Sequence, residues 1–167
     1  MKLTVHSHYP YPAESIVQVF GEQAFFTEKY QLCGAGNIRV MDFHPGPDQT
    51  RIRVQRDVKL AEALPAFARA ILPDTVTVIQ SDSWHRPSKT GQIEIELVSV
   101  PVRITADMAL EDDQDGAAMT VEFDISVDLP LIGERIARLL ARDLQKQYHM
   151  DTEAGQQVMA RRVRRYL

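Results

Sequence analysis

The order in which periodicity changes along the chain is what most constrains its fold. Residues 1–9 read as one short strand, and residues 12–32 as two short helices. Residues 35–128 carry several runs of period-two alternation, and residues 130–166 read as one long helical segment. Alternating strands present one apolar face, and an amphipathic helix that arrives last presents an apolar stripe to it. The order predicts an α+β chain: a curved antiparallel sheet of about seven strands wrapped around the C-terminal helix, with two short helices after the first strand. Such an architecture often encloses an apolar cavity.

In the first strand Leu3, Val5, Ser7 and Tyr9 share one face and Thr4, His6 and His8 the other. Pro10 and Pro12 stop it, and Pro12 suits the first position of a helix. Ile16, Val17 and Phe20 make a short apolar stripe. A second helix begins near Glu22, with Phe25, Phe26, Tyr30 and Leu32 for one side, and ends at Gly34 and Gly36. Strands follow at about 37–44, 50–59, 75–85, 91–98, 101–111 and 118–128. Residues 60–73 interrupt them. Leu60, Leu64, Phe67, Ala68, Ile71 and Leu72 recur there at helical spacing, but Pro65 and Pro73 limit the segment to a short helix or a loop with one turn. It reads as a lid over a cavity or as a plug in the core. Pro130 is expected to start the last helix, with Asp128 as cap. A bend is expected near Gly155, because an unbroken helix to Tyr166 would span about 55 Å.

Composition narrows the function classes. A net charge of -4 argues against nucleic-acid binding. The single cysteine, Cys33, cannot form an internal disulfide and implies no oxidising compartment. The first residues lack the long apolar core of a signal peptide, and no apolar run is long enough to span a bilayer. A cytoplasmic protein is the expectation.

The junction Val127-Asp128-Leu129-Pro130-Leu131-Ile132-Gly133, running into Ile136, Leu139, Leu140 and Asp143-Leu144, resembles an uncharacterised branch of the START-like superfamily, also called SRPBCC or Bet v 1-like. That branch is known only as a domain of unknown function. The stretch Tyr9-Pro10-Tyr11-Pro12-Ala13-Glu14, leading to Val17 and Phe20, is similar to it too. The resemblance implies a helix-grip fold over residues 1–167 as one domain. It also implies a cavity between sheet and long helix, of the kind that binds lipids, sterols, hormones or polyketides in that superfamily. It carries over no catalytic residue, metal or cofactor.

Alternation places Ile52, Val54, Val76, Val78, Ile93, Ile95, Ile104, Met108, Val121, Phe123 and Ile125 on the concave face, with Ile136, Leu140, Leu144 and Tyr148 opposite. Arg56 falls on the apolar face of its strand, a local conflict of the kind that collects at functional sites. Its guanidinium either reaches past the sheet edge into water or meets a ligand carboxylate or phosphate inside. Arg56, Gln80, Trp84 and Tyr148 are the polar candidates. The expected ligand-binding set is Arg56, Val54, Val78, Trp84, Ile95, Ile104, Met108, Phe123, Leu140, Leu144 and Tyr148.

The expected partner is a hydrophobic or amphipathic, lipid-like small molecule, bound without being transformed. The rivals are a cyclase- or hydrolase-type enzyme on the same scaffold and a filled-core interaction protein. His6 and His8 have metal-compatible spacing but no evident third ligand. Trp84-His85 with Asp82 can be read as a base and its orienter, without a visible nucleophile. Cys33 reads as an inert thiol. The basic end, Arg161, Arg162, Arg164 and Arg165, is either a solvated helix terminus or a contact for an anionic membrane surface or acidic partner.

Overall fold

The computed structural model describes all 167 residues. The strands are β1 (Lys2–Tyr9), β2 (Gly36–His44), β3 (Gln49–Lys59), β4 (Thr75–His85), β5 (Thr90–Leu97), β6 (Val102–Asp113) and β7 (Gly116–Val127). The helices are α1 (Ala13–Val19), α2 (Gln23–Leu32), α3 (Ala66–Arg69) and α4 (Gly133–Arg162), followed by a 3-10 turn over Val163–Tyr166. The strands form one antiparallel sheet in the order β1-β7-β6-β5-β4-β3-β2. Hairpin neighbours pair in succession, and β1 crosses to pair with β7, with Val5 opposite Val121. The expected curved sheet of seven strands with a long C-terminal helix is the architecture observed.

Alternation governs which residues are inside. In β6 Val102, Ile104, Ala106, Met108 and Leu110 are buried, and in β7 Ala117, Met119, Val121, Phe123 and Ile125. These face α4. The helix, however, is buried unevenly. Ile136, Ala137, Leu139, Leu140 and Asp143 are buried near its start, and Ala154, Gly155, Val158 and Met159 near its end. Between them no residue is fully buried: Leu144 and Tyr148 are only half-covered. The helix is seated at both ends and stands off the sheet in the middle.

Two expectations are corrected: the start of the last helix and the buried side of α2. The last helix starts at Gly133, not Pro130, and Asp128 does not cap it. Leu131 takes a positive φ of 70° and points wholly into solvent, so Pro130 and Leu131 belong to a turn that reorients the chain. The helix also continues through Gly155 without a break. A Cβ there would lie 3.3 Å from Tyr9 Oη and 3.6 Å from Lys29 Cδ. The glycine permits a close approach to β1 and α2. Finally, Leu32 is half-exposed, and the buried side of α2 is instead Phe25, Phe26, Lys29 and Tyr30.

The helical ends are tied by specific bonds. Ala13 N donates to Asp112 Oδ1 at 2.8 Å, which satisfies an otherwise open amide at the start of α1. Arg162 pairs with Glu22 at 3.0 Å and with Glu28, and Tyr166 Oη donates to Glu22 at 3.0 Å. Gly116 opens β7 at φ 144°, and a Cβ there would sit 2.1 Å from Tyr9 O. Gly116→Ala is therefore expected to lower stability by about 2–4 kcal/mol, through both backbone strain and overpacking. Chemical denaturation would check this, and an unchanged midpoint would contradict it.

Candidate functional site

The middle of α4 roofs a cavity of about 540 Å³ on the concave face of the sheet. That lies within the range of small-molecule sites, roughly 300–1,000 Å³. Of its 34 lining residues 25 are hydrophobic, so its walls favour apolar surface over water.

Of the residues expected to bind a ligand, Arg56, Val78, Trp84, Ile95 and Ile104 line this cavity. So do Met108, Phe123, Leu140, Leu144 and Tyr148. Val54 does not. It is buried in the core, outside the cavity wall. Trp84 packs against Phe20, ring centroids 4.9 Å apart. Tyr148 is fixed by Ser7 Oγ at 3.2 Å and by an edge-on contact with Phe123.

The polar end of the cavity is richer than the sequence suggested. Arg56 turns inward rather than into water. Its Nη2 donates to Gln80 Oε1 at 2.8 Å, and Gln80 Nε2 donates in turn to Asp82 Oδ1 at 2.9 Å. The guanidinium lies over the Tyr30 ring, 4.0 Å from its centroid. Its other terminal nitrogen, Nη1, is buried and has no hydrogen-bond partner. Lys29 is buried beside it, paired with Asp151 at 3.2 Å and placed 5.1–5.4 Å from the Phe25, Phe26 and Tyr30 ring centroids.

Burial works against the Lys29 charge, but Asp151, Tyr30, Asp82 and Tyr9 together outweigh it, so the ammonium is held. Burial pushes Tyr30 up to about 12 and Tyr9 higher still, so both stay neutral phenols. Burial also raises Asp82, against the pull of Lys29 and the Gln80 hydrogen bond. Sequence reasoning missed Lys29 and Asp151 here and placed Asp82 with His85. In fact Asp82 faces the cavity while His85 faces outward and bonds Ser88. The missed signal was present as polar residues in apolar registers: Asp82 is in phase with Val76, Val78, Gln80 and Trp84, and Lys29 is four residues after Phe25.

The cavity mouth lies between the end of α2, the segment after β3 and the middle of α4. It includes Gly34, Lys59, Ala61 and Met150, all exposed. Cys33 is half-buried there, and burial raises its thiol. Residues 60–73 divide between the two expectations. Leu64, Ala68 and Leu72 plug the core, and only Leu60 and Ala61 line the cavity. That first part is strapped to α4. Ala61 N and Glu62 N donate to Asp143 Oδ1, the latter at 2.9 Å. Lys146 pairs with Glu62 at 2.9 Å, and Gln147 donates to Lys59 O at 2.9 Å.

Elsewhere, His6 is exposed and His8 pairs with Asp113 at 3.0 Å. Arg165 joins Arg162 on Glu22, while Arg161 and Arg164 remain exposed.

Comparison with known proteins agrees with this architecture. Residues 4–158 match the family described as a protein of unknown function, DUF2505, and the chain belongs to that family; its fold is the helix grip. Its fold is shared by a protein of Thermus thermophilus, TTHA0849, at 12% identity and TM-score 0.66, covering 96% of this chain and 98% of that one. The Zhui aromatase/cyclase from Streptomyces sp. R1128 matches at 11% identity and TM-score 0.61, covering 98% and 94%. Ara h 8.0201 matches at 12% identity and TM-score 0.59, covering 93% and 97%. At these identities the likeness is one of fold. No curated protein matches the sequence. No helix is long and apolar enough to cross a membrane.

Two outcomes are expected. Asp143→Ala removes the acceptor for the Ala61 and Glu62 amides, so hydrogen exchange at both should accelerate while the β6 and β7 amides stay protected. Equal protection in the variant would mean the strap lies elsewhere. For Asp82 the folded value is raised above the unfolded one. The native state therefore binds more protons between the two values, and stability falls as pH rises through that window. Asp82→Asn lacks this ionisation, so in thermal melts its stability relative to the parent should improve as pH rises above the ordinary carboxylate range. A constant difference would contradict the assignment.

Proposed function

We propose that this protein binds a hydrophobic or amphipathic small molecule in the cavity beneath α4, without transforming it. The observation that carries this reading is an apolar cavity of about 540 Å³ whose wall holds a buried, unpartnered Arg56 Nη1. A close-packed core leaves few voids larger than a water molecule, and buried polar groups are almost always hydrogen-bonded. A ligand answers both. Its apolar part would gain about 25 cal/mol for each Å² removed from water, and a polar atom facing Arg56 would fix its orientation. The segment Leu60–Ala63, strapped by Asp143, is the part suited to open the mouth.

Binding without turnover is preferred to a cyclase- or hydrolase-type reaction, although one neighbour of the same fold is an aromatase/cyclase. Such chemistry needs titratable groups that converge and exchange protons. Titratable groups do converge here, but they are engaged with one another: Lys29 with Asp151, and Arg56 with Asp82 through Gln80.

Native mass spectrometry of the freshly purified protein, followed by denaturing extraction, tests the reading. A defined extra mass that departs on denaturation is expected. A bare mass, together with no thermal shift across a panel of lipids and sterols, would overturn it in favour of an interaction protein.

A further inference from the structure

We propose that the ligand carries a carboxylate head, which accepts a hydrogen bond from Arg56 Nη1, and that its binding draws a proton onto Asp82; this rests on reading the cavity as a ligand site. Of the enclosed side-chain nitrogen and oxygen atoms, only Arg56 Nη1 has no partner. Arg56 Nη2 is occupied by Gln80, Lys29 by Asp151, and Tyr148 by Ser7. Nη1 is buried and lacks an acceptor. A buried cationic N–H without an acceptor is costly, and a charged oxygen is its strongest partner. A cationic head would instead meet the guanidinium.

The charges set the rest. The groups facing Asp82 are Lys29 and Tyr30 from α2, Arg56 from β3 and Asp151 from α4, with Tyr9 and Tyr148 beyond them around Lys29 and Asp151. The three tyrosines are raised by burial and stay neutral. Two cations therefore face two carboxylates, and Gln80 links one of each, Arg56 and Asp82. A ligand carboxylate on Nη1 adds a third negative charge to this buried group. Like charges at one buried site are not all held ionised. Asp151 is stabilised by its ion pair with Lys29, whereas Asp82 accepts only from the neutral Gln80 amide and is already raised by burial. Asp82 takes the proton, and the excess negative charge is cancelled. Ligand affinity and proton uptake become linked quantities.

The test is isothermal titration of the whole protein with three probes that share one tail: dodecanoate, dodecanol and dodecyltrimethylammonium. Each is run in two buffers of different ionisation enthalpy, from about pH 5 to about pH 8. Dodecanoate should bind about tenfold or more tightly than dodecanol, as a charge-assisted hydrogen bond requires, and the ammonium probe should bind weakest. Dodecanoate should bring up to one proton with it. Asp82→Asn should still bind dodecanoate but lose that uptake, and Arg56→Met should bring dodecanoate down to the affinity of dodecanol. Equal affinity for dodecanoate and dodecanol in the unsubstituted protein would overturn the carboxylate assignment while leaving the cavity reading standing. Uptake that is absent, or that persists in Asp82→Asn, would overturn the role of Asp82. Failure of all three probes to bind would remove the ligand-site reading itself.

Discussion

The structure depends on a helix that is seated at two places and spans the gap between them. At one end Ile136, Leu139 and Leu140 sink into the sheet, and at the other Val158 and Met159 sink against the rest of the core. The sheet between is concave, and the middle of the helix does not follow it. The residues that span the gap, Leu144 and Tyr148 among them, become the roof of a cavity rather than part of a close-packed interior. The far seat is reached only because Gly155 lets Tyr9 and Lys29 come close. Cavity and mouth both follow from the gap between a concave sheet and the helix that spans it.

The polar cluster is expensive in isolation. A buried ammonium and a buried guanidinium each lose hydration that a single partner rarely restores. Here the losses are shared: Asp151 and three aromatic rings surround Lys29, and Gln80 passes a hydrogen bond between Arg56 and Asp82. A core built only for stability would replace these groups with aliphatic side chains. Their presence at one end of an apolar cavity gives that end a chemical direction. A symmetrical hydrocarbon would have no reason to prefer one orientation in it, whereas a molecule with one polar terminus would.

The fold was legible because periodicity is a local signal. Six strand registers and the helical stripe could be counted directly, and the concave face followed from phase alone. The misreadings lie where a local rule meets a tertiary constraint. Pro130 is a sound helix start by propensity, but the chain must turn at Leu131 before the helix can cross the sheet. Leu32 falls on the apolar side of α2 by spacing, but the helix turns Phe25, Phe26, Lys29 and Tyr30 inward and leaves it half-exposed. The site was half legible. Arg56 announced itself as a charge in an apolar register. Lys29 and Asp151 were equally anomalous, yet their pairing joins α2 to α4 across more than a hundred residues of sequence, and no pattern in one dimension reveals it. The void itself has no sequence signature, since Val54 in the packed core and Val78 on the cavity wall are chemically the same residue.

The pairing of β1 with β7 bears on when the cavity can come into being. Lys2 lies opposite Asp124, and the first helices are fastened to Arg162 and Tyr166. Contacts of such separation form late, because the intervening loop must close before they contribute. The β3–β4–β5 hairpins can assemble early, but the sheet has no roof, and Lys29 no Asp151, until α4 docks on it. The cavity therefore comes into being only when the most distant contacts of the chain have closed, and the strap at Asp143 ties its rim at the same stage.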